Sequence, residues 1–328
     1  MIAHSGAESE FYKGKRIAVI VGARRGVAYD LYARLIAGYL GKYIRGTPEI
    51  VVENMTGAGS KRVANEIYGA KPDGLTLAAI SPDLYFGQLL AQKDVHFDWA
   101  GFSWIGTPDR SNHLLYARAD TPYKSMREIA RAAKPPRCGA SGTSSTACYL
   151  PKLLEEIVGA KFEMVTGYQE GPDVDTAVAR GEIDCRVLTI SGFFSHEPYH
   201  SWRKNGFVRI LLQTGKERGP KLPQTPTIYE LMDEHRVPEP GRGLAQVILS
   251  AALFGRPLVA PPGVPAERVK ILREAFIRAA RDPELLVEAK MKNLDVVAAG
   301  GEELQALARE IISQPLEIIA RMRKLLAE

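Results

Sequence analysis

The chain has 328 residues, 45% hydrophobic and 25% charged, enough for two domains of ordinary size whose cores need no staples. Its net charge of +5 is a small surplus of 43 basic over 38 acidic residues. That surplus is spread out, with no Lys/Arg block and no basic–aromatic alternation, which argues against nucleic acid as a partner; no apolar run approaches the ~18 residues of a membrane span.

In chain order, residues 1–13 read as a flexible tail. They lack a basic stretch followed by an apolar one, so no signal peptide is expected; the chain is either cytoplasmic or a mature form whose signal was removed. The apolar run 17–21 reads as a buried strand that ends in Gly22 and then Gly26. A helix is expected from about Asp30, burying Leu31, Leu35, Ile36, Tyr39 and Leu40. Strand, glycine loop and helix start point backbone N–H groups at a small anion, although most such corners bind nothing. Residues 49–53 form the next strand. The loop Asn54-Met55-Thr56-Gly57-Ala58-Gly59 then leads to Ser60, expected to cap a helix that buries Val63, Ala64 and Ile67. Lys71-Pro72-Asp73-Gly74 is a turn, 75–80 a strand and 83–91 a short helix. This β-α-β-α-β-α order implies a mostly parallel sheet.

Residues 94–107 are aromatic and irregular, and 113–117 is a strand. Ser125 and Glu128 form a capping box opening a helix over 126–133. Strand 137–140, the small polar loop 141–146, helix 150–157 and strand 162–165 follow. Pro172 suits the first turn of a helix that runs to Arg180 and ends at Gly181. Strand 183–188, a helix near 199–204 and strand 208–213 complete this stretch. A second capping box, Thr227 with Glu230, opens a helix over 228–235. Residues 237–243 and the apolar run 247–254 come next, then a rigid turn at 261–265 and three helices, 266–281, 283–292 and 302–326. The pattern implies two α/β units, the second inserted in the first: domain one over 1–112 and 250–328, domain two over 113–249. Strands near 113–117 and 247–253 are expected to form a hinge, with the ligand held in the cleft between the sheets.

The motifs mostly exclude. His196-Glu197-Pro198-Tyr199-His200 matches HExxH as a string, but Pro198 denies the continuous helix that zinc ligation needs, and a helix N-terminus is expected there instead. Gly139-Ala140-Ser141-Gly142-Thr143 lacks the last glycine of a nucleophile elbow, and no histidine announces itself as the base for Ser141. The hydroxyl-rich loop serves anion binding or plain helix capping equally well. There is no G-x-G-x-x-G after the first strand and no P-loop. Cys138, Cys148 and Cys185 include no CxxC; they read as buried thiols, or as one disulfide and a free thiol. No catalytic residue, metal site or cofactor is expected.

Several segments together resemble the substrate-binding proteins of tripartite tricarboxylate transporters, the TctC or Bug family. They are Gly26 to Asp30 with Leu31 and Arg34; Val51-Val52-Glu53-Asn54 followed by Gly57-Ala58-Gly59; Lys71-Pro72-Asp73-Gly74-Leu75-Thr76-Leu77; Gly139 to Ser144; and Gly167-Tyr168-Gln169-Glu170-Gly171. Gly181-Glu182-Ile183-Asp184, Pro223-Gln224-Thr225-Pro226-Thr227 and Ala260-Pro261-Pro262-Gly263-Val264-Pro265 complete the series. The resemblance implies a two-domain periplasmic-binding-protein (Venus-flytrap, type II) fold, with a mixed, mostly parallel sheet in each domain. It also implies a monomer in the periplasm, without signal peptide, that binds a small organic carboxylate and delivers it to a membrane permease; a hydrolase using Ser141 and a ligand sensor are the alternatives.

By position in that family, Gly26, Val27 and Ala28 from domain one and Ser141, Thr143 and Ser144 from domain two hold the carboxylate, and Asp184 matches a family Asp on a domain-two strand, expected to be structural. Arg24 and Arg25 replace a proline-rich stretch, Val27 a glycine and Tyr29 a smaller polar residue, and a lysine position falls at Gln169 or Glu170. Tyr29, Tyr85, Phe86, Phe193 and Phe194 also fall near predicted loop or helix starts, and the candidate ligand-binding set is Ala23, Arg24, Arg25, Gly26, Val27, Ala28, Tyr29, Tyr85, Ser141, Gly142, Thr143, Ser144, Ser145, Tyr168, Ser191 and Phe193.

Overall fold

The computed structural model describes residues 10–141 and 145–327. The chain divides into two compact units, residues 1–110 with 254–313 and residues 111–253 with 314–328, so it passes between them three times.

The first unit begins with β1 (Arg16–Val21), α1 (Ala28–Leu40), β2 (Glu49–Asn54), α2 (Lys61–Tyr68), β3 (Thr76–Ala79), α3 (Tyr85–Leu89) and β4 (Ser103–Thr107). The second contains β5 (His113–Arg118), α4 (Met126–Arg131), β6 (Arg137–Gly139), α5 (Thr146–Val158), β7 (Glu163–Val165), α6 (Gly171–Ala179), β8 (Cys185–Thr189), α7 (Ile190–Ser195), α8 (Tyr199–Lys204), β9 (Val208–Gln213), α9 (Ile228–Glu234) and α10 (Glu239–Leu249). A short helix, α11 (Ala251–Phe254), leads back to β10 (Leu258–Ala260), α12 (Ala266–Ala280), α13 (Pro283–Met291), β11 (Ala299–Gly300) and α14 (Gly301–Ile312) of the first unit. The last helix, α15 (Leu316–Ala327), returns to the second.

The first sheet has the order β11-β4-β10-β3-β1-β2. β1 pairs in parallel with β2 and β3, while β10 runs against both β3 and β4. Thus β1 to β4 all end at one edge, where β10 begins. The second sheet has the order β7-β6-β8-β5-β9. Its β6 is parallel to β7 and β8, and β5 runs against β8 and β9. Here β6 to β9 end together, beside the start of β5. Loops that follow parallel strands gather at such an edge, which is where α/β sheets carry ligands.

Local chemistry accounts for the elements. β1 alternates between exposed or half-buried and buried residues and drives Ile17, Val19 and Val21 into the core. α1 starts two residues earlier than expected and buries Tyr32, Leu35, Ile36 and Leu40; Leu31 and Tyr39 are only half-buried. Each fully buried side chain of this size contributes about 1.5–3 kcal/mol. Thr227 and Glu230 form the expected reciprocal capping box.

Five expectations fail. Of the supposed tail, residues 1–9 lie outside the described residues, but Tyr12 is fully buried and its hydroxyl donates to the Gly74 carbonyl. Residues 103–107 are a strand: Trp104 packs on Trp99 at 4.6 Å and Phe254 at 5.0 Å, an aromatic cluster that hides any alternation. The run 247–254 is helical, not a hinge strand. A short apolar run does not distinguish buried helix from strand, and Pro238, Glu239 and Pro240 start a helix there. The expected helix 302–326 is two helices, because Pro315 has no N–H to continue the first. The second of these docks in the second unit, where Arg321 pairs with Glu156 of α5, rather than in the first.

Candidate functional site

At the edge of the first sheet the β1–α1 loop is shaped by its neighbours. A Cβ on Gly22 would stand 2.0 Å from Ser60 Oγ, so only glycine fits. Ser60 does not cap α2: its φ is +75°, no cap bond forms, and Oγ instead accepts from the Ser81 N–H at 3.1 Å. Gly26 has φ +86°, a left-handed conformation that favours glycine. Its N–H donates to Asp30 Oδ2 at 2.8 Å. Asp30, 1% exposed, also accepts from Arg34 Nε at 2.9 Å and from Asn54 Nδ2 at 2.8 Å, and Asn54 donates in turn to the Ala23 carbonyl. Burial alone would raise the Asp30 carboxyl; the bonds from Arg34, Gly26 and Asn54 outweigh it and hold the carboxyl below its ordinary value.

One consequence corrects an expectation: the Gly26 N–H is already engaged by Asp30. The donors that remain are those of the next turn. Val27 is the N-cap residue of α1 and provides no side-chain cap, so the N–H groups of Ala28, Tyr29 and Asp30 have no intrahelical acceptor. They lie at the positive end of the helix dipole. Arg25 is exposed, and Ala23, Arg24, Val27, Ala28 and Tyr29 are half-buried.

Behind this loop lies a charged group absent from the sequence reading. Arg256, just before β10, forms an ion pair with Asp109, just after β4; both are almost fully buried. The Arg256 N–H donates to Thr107 Oγ1 at 3.0 Å. Its guanidinium stands 5.5 Å from the ring of Tyr29 and 4.7 Å from that of Tyr32. Ser81 Oγ donates to Asp83 at 2.6 Å. Burial, then the nearby Asp83 charge, push the Tyr29 hydroxyl up to about 12 against the opposing pull of Arg256 and Ser81. Beneath Tyr29 and Arg256 a small cavity of about 20 Å³, bounded by Val19, Ala33, Ile36 and Phe276, has room for roughly one water.

At the edge of the second sheet, Ala140 closes the strand by donating to the Val165 carbonyl, and Ser141 is exposed. Gly142, Thr143 and Ser144 lie outside the described residues. Ser145 is the N-cap residue of α5, again with no side-chain cap bond. Thr189 caps α7, and the Ser191 N–H donates to Ser111 Oγ at 2.9 Å. His113, at the start of β5, is buried, which pushes its imidazole down to about 4, and its Nδ1 has no partner among the described residues.

Three further candidates sit elsewhere. Tyr85 is fully buried against Phe86, Trp99 and Phe254, and Phe193 is fully buried against Tyr116, Phe194 and Tyr199, so both are core side chains. Tyr168 is half-buried, and the charges that act on its hydroxyl are Glu182 and Arg137, at the opposite ends of the strands. Asp184 is structural: it accepts from the Arg137 N–H at 2.8 Å.

The HExxH string holds no metal geometry. His196 Nδ1 meets Ser195 Oγ at 2.6 Å, His200 Nε2 meets the Phe194 carbonyl at 3.1 Å, and no metal-binding cluster occurs among the described residues. Tyr199 instead donates to Asp175, which is ion-paired with Arg186, a buried polar knot under α6.

The pattern of the tripartite tricarboxylate transporter family receptors, TctC, matches residues 33–323. The chain belongs to this family. A UPF0065 protein of Cupriavidus necator is 25% identical over 96% of this chain and 90% of its own length. Among solved structures, the periplasmic binding protein BugD aligns with a TM-score of 0.71 and 19% identity, over 96% of this chain and 98% of that one. A Rhodopseudomonas palustris protein solved with adipate aligns with a TM-score of 0.72 and 19% identity, over 94% and 97%. Identities this low speak for the fold, the expected two-unit periplasmic-binding-protein fold with a mixed α/β sheet in each unit. TctC proteins are solute-binding receptors and not enzymes, which sets aside the hydrolase alternative for Ser141.

Proposed function

We propose that this TctC protein captures a small organic carboxylate, a dicarboxylic or aromatic acid, outside the cytoplasm and hands it to the membrane permease of a tripartite tricarboxylate-type transporter. The observation that carries the reading is the uncapped N-terminus of α1, held open by Asp30 and Asn54 from behind. It offers N–H donors that have no intrahelical acceptor and a favourable dipole to one carboxylate, as an anion site requires. In the second unit Ser141 is exposed and Ser145 is the N-cap residue of α5, a second helix start of the kind that suits an anion. The adipate held by the R. palustris neighbour is a ligand of that chemical class. Within this reading Arg24, Arg25 and Tyr29 select among acids, the arginines by bidentate pairing with a second carboxylate and Tyr29 by ring contact. The protein acts as a monomer.

A thermal-shift screen of mono- and dicarboxylates, on protein refolded to remove copurified ligand, tests the proposal. A matching acid at one hundred times its dissociation constant stabilises by about 2.7 kcal/mol. If no carboxylate raises the melting temperature, the assignment fails.

A further inference from the structure

The three cysteines all fall in the second unit, and the structure brings two of them into register. Cys138 in β6 stands directly opposite Cys185 in β8 in the parallel ladder, so both side chains leave the same face of the sheet. Neighbouring strands lie about 4.8 Å apart, within the Cα separation of about 4.4–6.8 Å that a disulfide needs. Both residues are fully buried free thiols, and Cys185 Sγ donates to the Arg137 carbonyl at 3.6 Å. Cys148 is buried too, on α5; Cys138 lies near enough to act on its thiol, but Cys148 shares no strand register with either partner.

We propose that Cys138 and Cys185 are a disulfide-forming pair, closed by thiol–disulfide exchange as the unit folds, with Cys148 left as a free thiol. The folded state itself explains the timing. Burial, reinforced by the neighbouring Cys138, keeps the Cys185 thiol protonated, and exchange requires a thiolate. Closure therefore precedes full burial of the two strands. One cysteine thiolate attacks a small disulfide, such as oxidised glutathione, and displaces one glutathione thiolate. The second cysteine thiolate then attacks the cysteine sulfur of the mixed disulfide and displaces the other glutathione. Two protons leave, the protein dithiol is oxidised by two electrons, and one glutathione disulfide is reduced to two thiols. The bridge closes a loop over residues 138–185 that carries α5, β7 and α6. Only the persistence of the bridge in the cell rests on the extracytoplasmic location proposed above.

The test is therefore made in vitro on the full chain, where neither ligand binding nor location affects the outcome. Reduced, denatured protein is refolded in a glutathione redox buffer, alkylated under denaturing conditions and digested without reduction. One alkylated cysteine, Cys148, and a linked peptide pair carrying Cys138 and Cys185 are expected. Cys148→Ser should keep the link and leave no alkylated thiol; Cys185→Ser should abolish it and leave two. Three alkylated cysteines in the parent protein, or a link through Cys148, overturn the proposal.

Discussion

Replacing Asp30 with asparagine probes the support of the β1–α1 loop without changing its shape. The carboxylate accepts from the Gly26 N–H, Arg34 Nε and Asn54 Nδ2 at 2.8–3.0 Å and is 1% exposed. Bonds to a charged group are worth about 1.5–3 kcal/mol each. Asparagine keeps one acceptor oxygen but turns an NH₂ toward a donor, whichever way it is flipped. Breaking a buried pair costs about 3–5 kcal/mol, and the lower end applies because Arg34 is partly exposed and can turn to water. The expected loss of about 3 kcal/mol lowers the melting temperature by roughly 6–12 °C for a unit of this size.

The acid dependence gives a second reading. The folded-state pKa of Asp30 is depressed, so its stabilisation is fully present above the ordinary carboxylate value of about 4 and is lost as pH falls through the folded value. Denaturant melts of parent and variant from pH 7 to pH 2 should differ most at neutral pH and converge in acid. A variant as stable as the parent at pH 7, or a gap that persists unchanged to pH 2, would refute the reasoning.

Three further outcomes follow from the same edge. Arg24→Ala with Arg25→Ala should weaken carboxylate binding by more than an order of magnitude in calorimetry if the arginines pair with the ligand, as proposed; unchanged affinity excludes that role. Gly22→Ala should destabilise by about 1–3 kcal/mol, because its Cβ would collide with Ser60 Oγ; adding Ser60→Gly should recover only part of the loss in urea melts, since glycine removes the collision and relieves the left-handed backbone but takes away the acceptor of the Ser81 N–H. Tyr29 has a raised pKa, so its contribution is intact below about 10 and is lost as pH rises through about 12. Stability curves from pH 8 to 11.5 should show the parent falling relative to Tyr29→Phe above pH ~10, and parallel curves would count against a buried hydroxyl beside Asp83.

What the sequence determined by itself is local. The glycine loops, the capping box at Thr227, the Ser125 N-cap, the Lys71-Pro72-Asp73-Gly74 turn and the α1 periodicity all depend on residues within a few positions of one another, and they are found where local chemistry puts them, although Glu128 accepts from the Lys124 N–H instead of that of Ser125. The family was legible for the same reason, since its motifs are short loops in a set order. Tertiary structure decided the rest. The run 247–254 became helix and 103–107 became strand because burial on all sides erases the periodicity that distinguishes them. Ser60 gave up its cap because the Ser81 N–H, just after β3, needed an acceptor more. Tyr85 and Phe193, placed in the site by their position near loop or helix starts, are core residues because neighbouring aromatics close over them. Arg256 and Asp109 lie 147 residues apart, and nothing in the spacing of either announces the other. They pair because β4 and β10 are adjacent antiparallel strands, and a buried charge must find its partner wherever the fold brings one within reach.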